Sequence, residues 1–513
     1  MPDYMYQLES RLSPEQRAAM LRVQELARAQ DSNVYLTGGA VRDLISGMPI
    51  RDLDFTVEGN PQRMVRELEK GGAKVVSEDE KTRHYELIFA GDVEGSISAA
   101  RDEVYERPGA KPEVRWSTVM EDLRRRDFSV NAIAISLNPA SRGLLLDPTN
   151  GLADLEKREV RALSIHAFTN QPIRLMRILR YAARMDGKME SRSEEWFELA
   201  LGRKLHENLD PGLVGKEVWA LGREDDPAAT LKQWEAKGLI AAITPQLAKR
   251  HPDYEGLARL NRARLMFLEA GLRARLTNAV IYFLLSRLKD REASAALRHL
   301  GFSSKQMEGL DELGPATNEV LKTLKGRKTD KPRDAYFYIE KVPLERLAFL
   351  AADSGDTKAM AKIRNYLQKW RPMRATLPAN ELEALGVPRG PKFDQVLEDF
   401  FDAQLRGKGK DPEERTKLLK KLAGIKDEPK KVEEKKKGRG KKAAALAEKG
   451  AEKLASGRGG KGKAPEAAGT GQAAAAPAVA PKRTEAAGHA GAAASGRPHD
   501  TKKSAPAKHA KKK

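Results

Sequence analysis

The sequence predicts an α+β N-terminal head followed by an all-α neck and body-tail, with a basic C-terminal tail that builds no core. Three observations predict it. Segments with period-2 alternation lie before residue 140, as in "IRDLDFTVEG", where Leu53, Phe55 and Val57 fall on one side of an extended chain and Asp52, Asp54 and Thr56 on the other. From Gly151 onward the apolar residues recur at helical spacing almost throughout. Beyond Ile425 the chain is dominated by Lys, Ala, Gly and Pro and has no aromatic residue, too little apolar surface to offset the entropy of ordering.

Taken in order, "NVYLTGGAVRDLISG" reads as strand, glycine turn and helix. "RDLDFTVEG" is a second strand and "NPQRMVRELEKGG" a helix behind it. Further strands are expected at "AKVVS", "HYELIFAG", "GSISAARDEVY" and "DFSVNAIAISL". "QPIRLMRILRYAARMDG" has Pro near its start and Gly after its end, the placement a helix prefers. "RLTNAVIYFLLSRLKD" is the most apolar helix and is expected at the centre of a helical bundle.

The chain has 513 residues, 40% of them hydrophobic, enough for two or more domains with real cores. With no cysteine, disulfides, thiolate metal sites and cysteine nucleophiles are excluded. The N-terminus shows no signal segment and no apolar run has the length to span a bilayer, so a cytoplasmic protein without membrane association is expected. The formal charge of +20 points to polyanionic partners. Residues 426–513 carry 23 Lys/Arg against 9 Asp/Glu, so most of the excess sits in the tail, where it could add non-specific nucleic-acid contacts or serve solubility alone.

Four elements bear on chemistry. Asp52 and Asp54 are like charges on neighbouring same-face positions, an unfavourable pair unless a cation sits between them. A hard divalent ion such as Mg²⁺ suits two such carboxylates, because it keeps water and accepts phosphate oxygens from a substrate; a solvated strand face is the plainer alternative. Gly38 and Gly39 stand at a strand-to-helix turn, where backbone N–H groups can approach an anion closely. "EDLRRRDFSVNAIAI" sets a basic loop before an apolar strand opened by Asn131. Arg174, Arg177, Arg180 and Arg184 recur at three, three and four residues on one helical face. Such a stripe either holds phosphates or is simply solvated.

Together the blocks "LTGGAVRDLISGMPIRDLDFTV", "EDLRRRDFSVNAIAI", "DPTNGLADLEKREVRAL" and "QPIRLMRILRYAARM" resemble, in order, the class II nucleotidyltransferases: CCA-adding tRNA nucleotidyltransferases and bacterial poly(A) polymerases. The resemblance implies a DNA-polymerase-β-like nucleotidyltransferase head at 1–140, a helical neck at 141–225 binding nucleotide and RNA, a helical tRNA-binding body-tail at 226–425 and a disordered tail at 426–513. It implies that Asp52 and Asp54 hold catalytic Mg²⁺, that Gly38 and Gly39 contact the triphosphate, and that Arg42, in the family's Arg-Asp motif with Asp43, binds nucleotide. It places Arg126, Asp127 and Asn131 at the ribose and head–neck junction, Gln171 and Arg174 at the incoming base, and Arg177 among the nucleotide-binding residues. The implied reaction is attack of an RNA 3′-hydroxyl, that of tRNA or another RNA, on the α-phosphate of CTP or ATP.

The sequence departs from the pattern twice. Asn170-Gln171 stands where the family has Glu-Asp, and because an amide both accepts and donates, weaker preference for CTP and ATP is expected. Ser96 aligns where a third carboxylate is usual, with Glu94 two residues earlier, so weaker metal binding is expected. Two further readings stay open: a poly(A) polymerase, and a catalytically weak or inactive RNA-binding member of the family.

Overall fold

The computed structural model describes residues 3–107, 110 and 112–425; the expected basic tail, 426–513, lies outside the described residues. A seven-stranded sheet organises the N-terminal part. Its strands are β1 (Val34–Thr37), β2 (Leu53–Val57), β3 (Lys74–Asp79), β4 (His84–Phe89), β5 (Val93–Ala99), β8 (Ala134–Ser136) and β9 (Leu145–Leu146), in the spatial order β3-β4-β5-β2-β1-β8-β9. β6 (Arg101–Val104) and β7 (Glu113–Trp116) form a separate antiparallel hairpin. Central β2 runs antiparallel to β1 and parallel to β5.

The period-2 pattern of β2 explains its place. Leu53, Phe55 and Val57 are buried in the main core, where the Phe55 ring meets that of Phe89 edge to face at 6.0 Å. Helices Tyr4–Arg11 and Pro14–Ala29 contribute Leu8, Met20 and Val23 to the same core. The second of them starts at a capping box formed by Ser13 and Gln16, with Pro14 at its first turn.

Two strand expectations need correction. "GSISAARDEVY" is not one strand: Ala100, whose N–H donates to Val57 and whose carbonyl accepts from Ser117, ends β5, and β6 leaves to pair with β7. "DFSVNAIAISL" opens not as a strand but as a 3-10 turn at Ser129–Asn131, and only Ala134–Ser136 joins the sheet. The turn carries the Asn131 side chain inward, between Arg42 and Asp127, which an extended segment would not do.

The rest is helical apart from a short parallel pair, Glu159–Val160 with Lys188–Met189. Helix Arg174–Arg184 begins two residues after Pro172, and Pro227–Ala236 docks against it through fully buried Trp234, whose indole N–H donates to the Met176 carbonyl at 2.9 Å. Truncating such an indole costs about 3–5 kcal/mol. Helix Thr277–Leu285 buries Ala279, Val280, Ile281, Phe283, Leu284 and Leu285, as its apolar sequence predicts. One apolar cluster runs from Met5 to Phe401, and a smaller one gathers Leu382, Phe393, Phe400 and Leu419. No helix among the described residues is long and apolar enough to cross a membrane.

Candidate active site

A cavity of about 450 Å³ opens between the sheet and helix Arg174–Arg184. The candidate metal- and nucleotide-site residues line it, namely Gly38, Gly39, Arg42, Asp52, Asp54, Arg126, Asp127, Asn131, Gln171, Arg174 and Arg177, whereas Glu94, Ser96 and Asn170 are not among its lining residues. Ten arginines face six carboxylates there, a surplus of positive charge that suits a polyphosphate.

One wall is β2 with its neighbours. Gly38 takes φ +67° and ψ −128°, open only to glycine, and a Cβ there would sit 3.2 Å from the Arg126 guanidinium. Its N–H donates to the Ile133 carbonyl at 3.3 Å, leaving Gly39 to open the short helix Gly39–Ile45. Gly95 pairs with Leu53 so closely that an added Cβ would lie 2.2 Å from the Leu53 carbonyl oxygen. That close approach sets Ser96 opposite Asp54, and its hydroxyl donates to Asp54 at 2.7 Å. The position where a third carboxylate was expected thus holds a neutral donor on Asp54.

Burial first, and the neighbouring Asp52 second, push the Asp54 carboxyl up to about 6. Arg223, which sequence reasoning missed, ion-pairs with Asp52 and, at 3.0 Å, with Glu94; Arg275 also reaches Glu94. Its only prior signal was a basic residue after a helix. Among the described residues no group of three or more His, Asp or Glu gathers as a metal cage. A divalent ion here would rest on Asp52, Asp54 and a ligand's own phosphates, a donor set that fits Mg²⁺.

The Asp127 segment joins this wall to the next. Arg126 donates to Asp122 at 2.9 Å, to Thr56 at 3.1 Å and to the Asn131 carbonyl at 3.1 Å, which is why Thr56 is buried rather than open. The Asn131 amide accepts from Arg42 at 2.7 Å and donates to Asp127 at 3.2 Å. Asp122 is fully buried; Arg126 and Arg125 overcome its burial and hold the carboxyl below its usual range.

The opposite wall overturns the picture of the arginine stripe as a solvated face. Arg177 bonds Asp127 at 3.1 Å and Glu217 at 2.7 Å. Arg180 bonds Glu217 at 3.0 Å and Glu224 at 2.8 Å, and Arg184 bonds Glu224 at 2.8 Å and Asp43 at 2.6 Å. Because Arg42 donates both to Asp43 at 2.9 Å and to Asn131, the chain of bonds closes into a ring. The Tyr181 ring lies under the guanidinium groups of Arg42 and Arg180, at 4.9 and 4.6 Å. Burial disfavours the Arg177 charge, but Glu217 and Asp127 outweigh it and hold the guanidinium above its usual range.

Arg174 differs. Among the described residues it makes no ion pair, its Nε is buried without a hydrogen-bond partner, and its side chain bonds only the Ala167 carbonyl, at 3.5 Å. Burial pulls it below the usual range, with Asp127 the main opposing influence. Beside it the Gln171 amide donates to the Tyr105 hydroxyl at 2.6 Å, and that hydroxyl donates to Glu103 at 2.9 Å. Tyr105 and Glu103 were also missed, since "ARDEVY" read only as part of a strand.

Comparison with known proteins places these features in a family. A family profile described as the poly A polymerase head domain matches residues 34–161. An A-adding tRNA nucleotidyltransferase of Geobacter sulfurreducens is 26% identical over 425 residues, 81% of this chain; the chain spans 48% of that relative's length. A multifunctional CCA protein of Verminephrobacter eiseniae is 30% identical over 304 residues, 55% of this chain and 69% of the relative. A solved CCA-adding enzyme in an apo form aligns over 82% of this chain and 99% of its own, with 24% identity and a TM-score of 0.45. With a matching head domain and a relative of which it covers more than two thirds, the chain belongs to the tRNA nucleotidyltransferase and poly(A) polymerase family.

Proposed function

We propose that the chain is a template-independent nucleotidyltransferase that adds C, A or both to the 3′ end of a tRNA. One observation carries this reading: two crowded carboxylates beside a glycine turn face, across one arginine-rich cavity, an unpaired guanidinium next to a side-chain amide. The first pair suits a metal-bound triphosphate and the second suits a base edge. The relatives' names, A-adding tRNA nucleotidyltransferase and multifunctional CCA protein, support a tRNA end as acceptor.

In this reading the acceptor's 3′-oxygen bonds to the α-phosphorus of CTP or ATP, the bond to the β-phosphate oxygen breaks, pyrophosphate leaves and the hydroxyl proton passes to solvent. Asp52 and Asp54 would hold Mg²⁺, which when bound offsets triphosphate charge and favours the attacking oxygen. The chain's own part is positioning and electrostatics. Gly38 and Gly39 let the triphosphate approach the backbone. Arg42, Arg126, Asp127 and Asn131, already bonded to one another, hold the sugar side, and Arg177 keeps Asp127 in place. Gln171 and Arg174 meet the base. The division into head (1–140), neck (141–225) and body-tail (226–425) belongs to the same proposal, with the helical body gripping tRNA by shape and backbone.

The test uses purified full-length protein, Mg²⁺ and labelled CTP or ATP, with tRNA transcripts that end before the C-C-A or after the two Cs. Addition of C-C-A, or of A alone to the second transcript, supports the proposal and says which nucleotides are added. A long A tract would make the protein a poly(A) polymerase instead, and RNA binding without any incorporation would leave it an inactive relative.

A further inference from the structure

The Gln171 side chain raises a question of direction. Free to turn, an amide offers a base either its carbonyl oxygen or its NH₂, and these select opposite partners. Cytosine and adenine present an exocyclic amine beside an unprotonated ring nitrogen. Uracil and guanine present a carbonyl beside a ring N–H. An acceptor next to a donor fits the first two bases, and the reverse order fits the others.

The surroundings of Gln171 decide the direction. Glu103 is largely buried and, as a carboxylate, only accepts. One of its oxygens takes Arg101 and Arg125, both at 3.1 Å, and the other takes the Tyr105 hydroxyl at 2.9 Å. Burial opposes the charge of Glu103, but Arg125 and Arg101 overcome it and keep the carboxyl below its usual range. Burial and Glu103 keep the Tyr105 hydroxyl protonated by raising it above its own. The hydroxyl's single proton is therefore committed to Glu103, and towards Gln171 it offers only lone pairs. At 2.6 Å the group facing it must be a donor, the amide NH₂. A flipped amide would set two acceptors against each other. The carbonyl oxygen, which has no partner among the described residues, is left free, and Gln171 and Arg174 both line the cavity.

We propose that Tyr105 and Glu103 lock the Gln171 amide with its carbonyl oxygen turned to the incoming base, so that Gln171 accepts from the exocyclic amine of cytosine or adenine while Arg174 donates to the ring nitrogen, and uracil and guanine are rejected. The proposal rests on the reading of the cavity as a nucleotide site. It also revises the expectation of weak discrimination: held this way, the amide presents the same acceptor face as the carboxylate it replaces. Tyr105 and Glu103 are positioning residues that touch no base.

The test is equilibrium binding of CTP, ATP, UTP and GTP to the full chain with Mg²⁺, beside incorporation of each into truncated tRNA. Wild type is expected to favour CTP and ATP. In Tyr105→Phe, which keeps the ring and removes the hydroxyl, the preference should fall about tenfold, through tighter binding of UTP and GTP as the amide turns. Adding Gln171→Asp to that variant should restore the preference, because a carboxylate accepts whichever way it turns. An unchanged preference in Tyr105→Phe, or no restoration by Gln171→Asp, overturns the lock. If wild type binds CTP and ATP selectively and the variant relaxes it, yet no RNA is extended, the lock stands and the proposed reaction fails. If RNA is extended while the variant's preference is unmoved, the lock alone is lost.

Discussion

The two walls of the cavity handle charge in opposite ways. On the strand wall Asp52 is paired with Arg223, but Asp54 beside it makes no ion pair among the described residues, and its carboxylate takes a hydrogen bond only from the neutral Ser96. On the helix wall Arg177, Arg180 and Arg184 each meet two carboxylates, and among the described residues Arg174 meets none. Charge that the fold has already neutralised is architecture; charge it leaves unbalanced is held for something that arrives from outside. The difference is one of partners, since the residues on both walls are buried or half-buried.

Substitutions on each side should therefore fail differently. The largest effect is expected from Asp54→Asn. Nucleotide addition, followed with labelled CTP or ATP, should fall at least about a thousandfold, while the melting temperature holds or rises because a buried like-charge repulsion has been removed. Next comes Glu224→Ala, which leaves Arg51, Arg180 and Arg184 without a shared carboxylate. Breaking a buried pair from one side costs about 3–5 kcal/mol, to be read from urea unfolding. Arg174→Ala should reverse that profile: stability near wild type, and kcat/KM for CTP or ATP down about 10–100-fold, because a buried charge-assisted donor to the base is lost. A melting temperature that drops as far as that of Glu224→Ala would erase the contrast between the walls.

Acid should act on the helix wall. Burial opposes ionisation of Glu224, but Arg180, Arg184 and Arg51 outweigh it and hold the carboxyl at about 2, below the 4.5 of an ordinary glutamate. Its folded-state value is depressed, so its contribution is complete above about pH 4.5 and is lost as pH falls towards 2. Urea midpoints measured between pH 6 and 3 should decline less steeply in Glu224→Gln than in wild type. The smallest change is expected from Ser96→Ala, which removes one hydrogen bond from Asp54 and should alter turnover only about threefold.

Much of the site was legible because it rests on local pattern. Alternation fixed the direction of Asp54, and helical spacing put the four arginines on one face. Two sequential glycines marked a turn that only glycine can make at Gly38. What was not legible depends on distant partners. Nothing in "QPIRLMRILRYAAR" says that Glu217, on a helix some forty residues on, and Glu224, just past that helix, will come to meet it, so a filled face looked like an open one. Tyr105 was hidden in the same way, since it follows a strand that leaves the sheet at Ala100, and only that departure carries it to Gln171. Asn131 was identified but read as the start of a strand, because its inward turn answers to Arg42 and Asp127 rather than to its neighbours in sequence.

The closed circuit of Asp43, Arg42, Asn131, Asp127, Arg177, Glu217, Arg180, Glu224 and Arg184 has a consequence of its own. It passes between the sheet side and the helical side at two places, Asp127 with Arg177 and Asp43 with Arg184, and a loop has to be cut twice before it comes apart. One break, by mutation or by thermal fluctuation, leaves the remaining arc to keep the halves in register. The groups that would grip the phosphates and those that would face the base are thus tied through two routes in this circuit, beside the separate pairs of Arg223 with Asp52 and Gln171 with Tyr105.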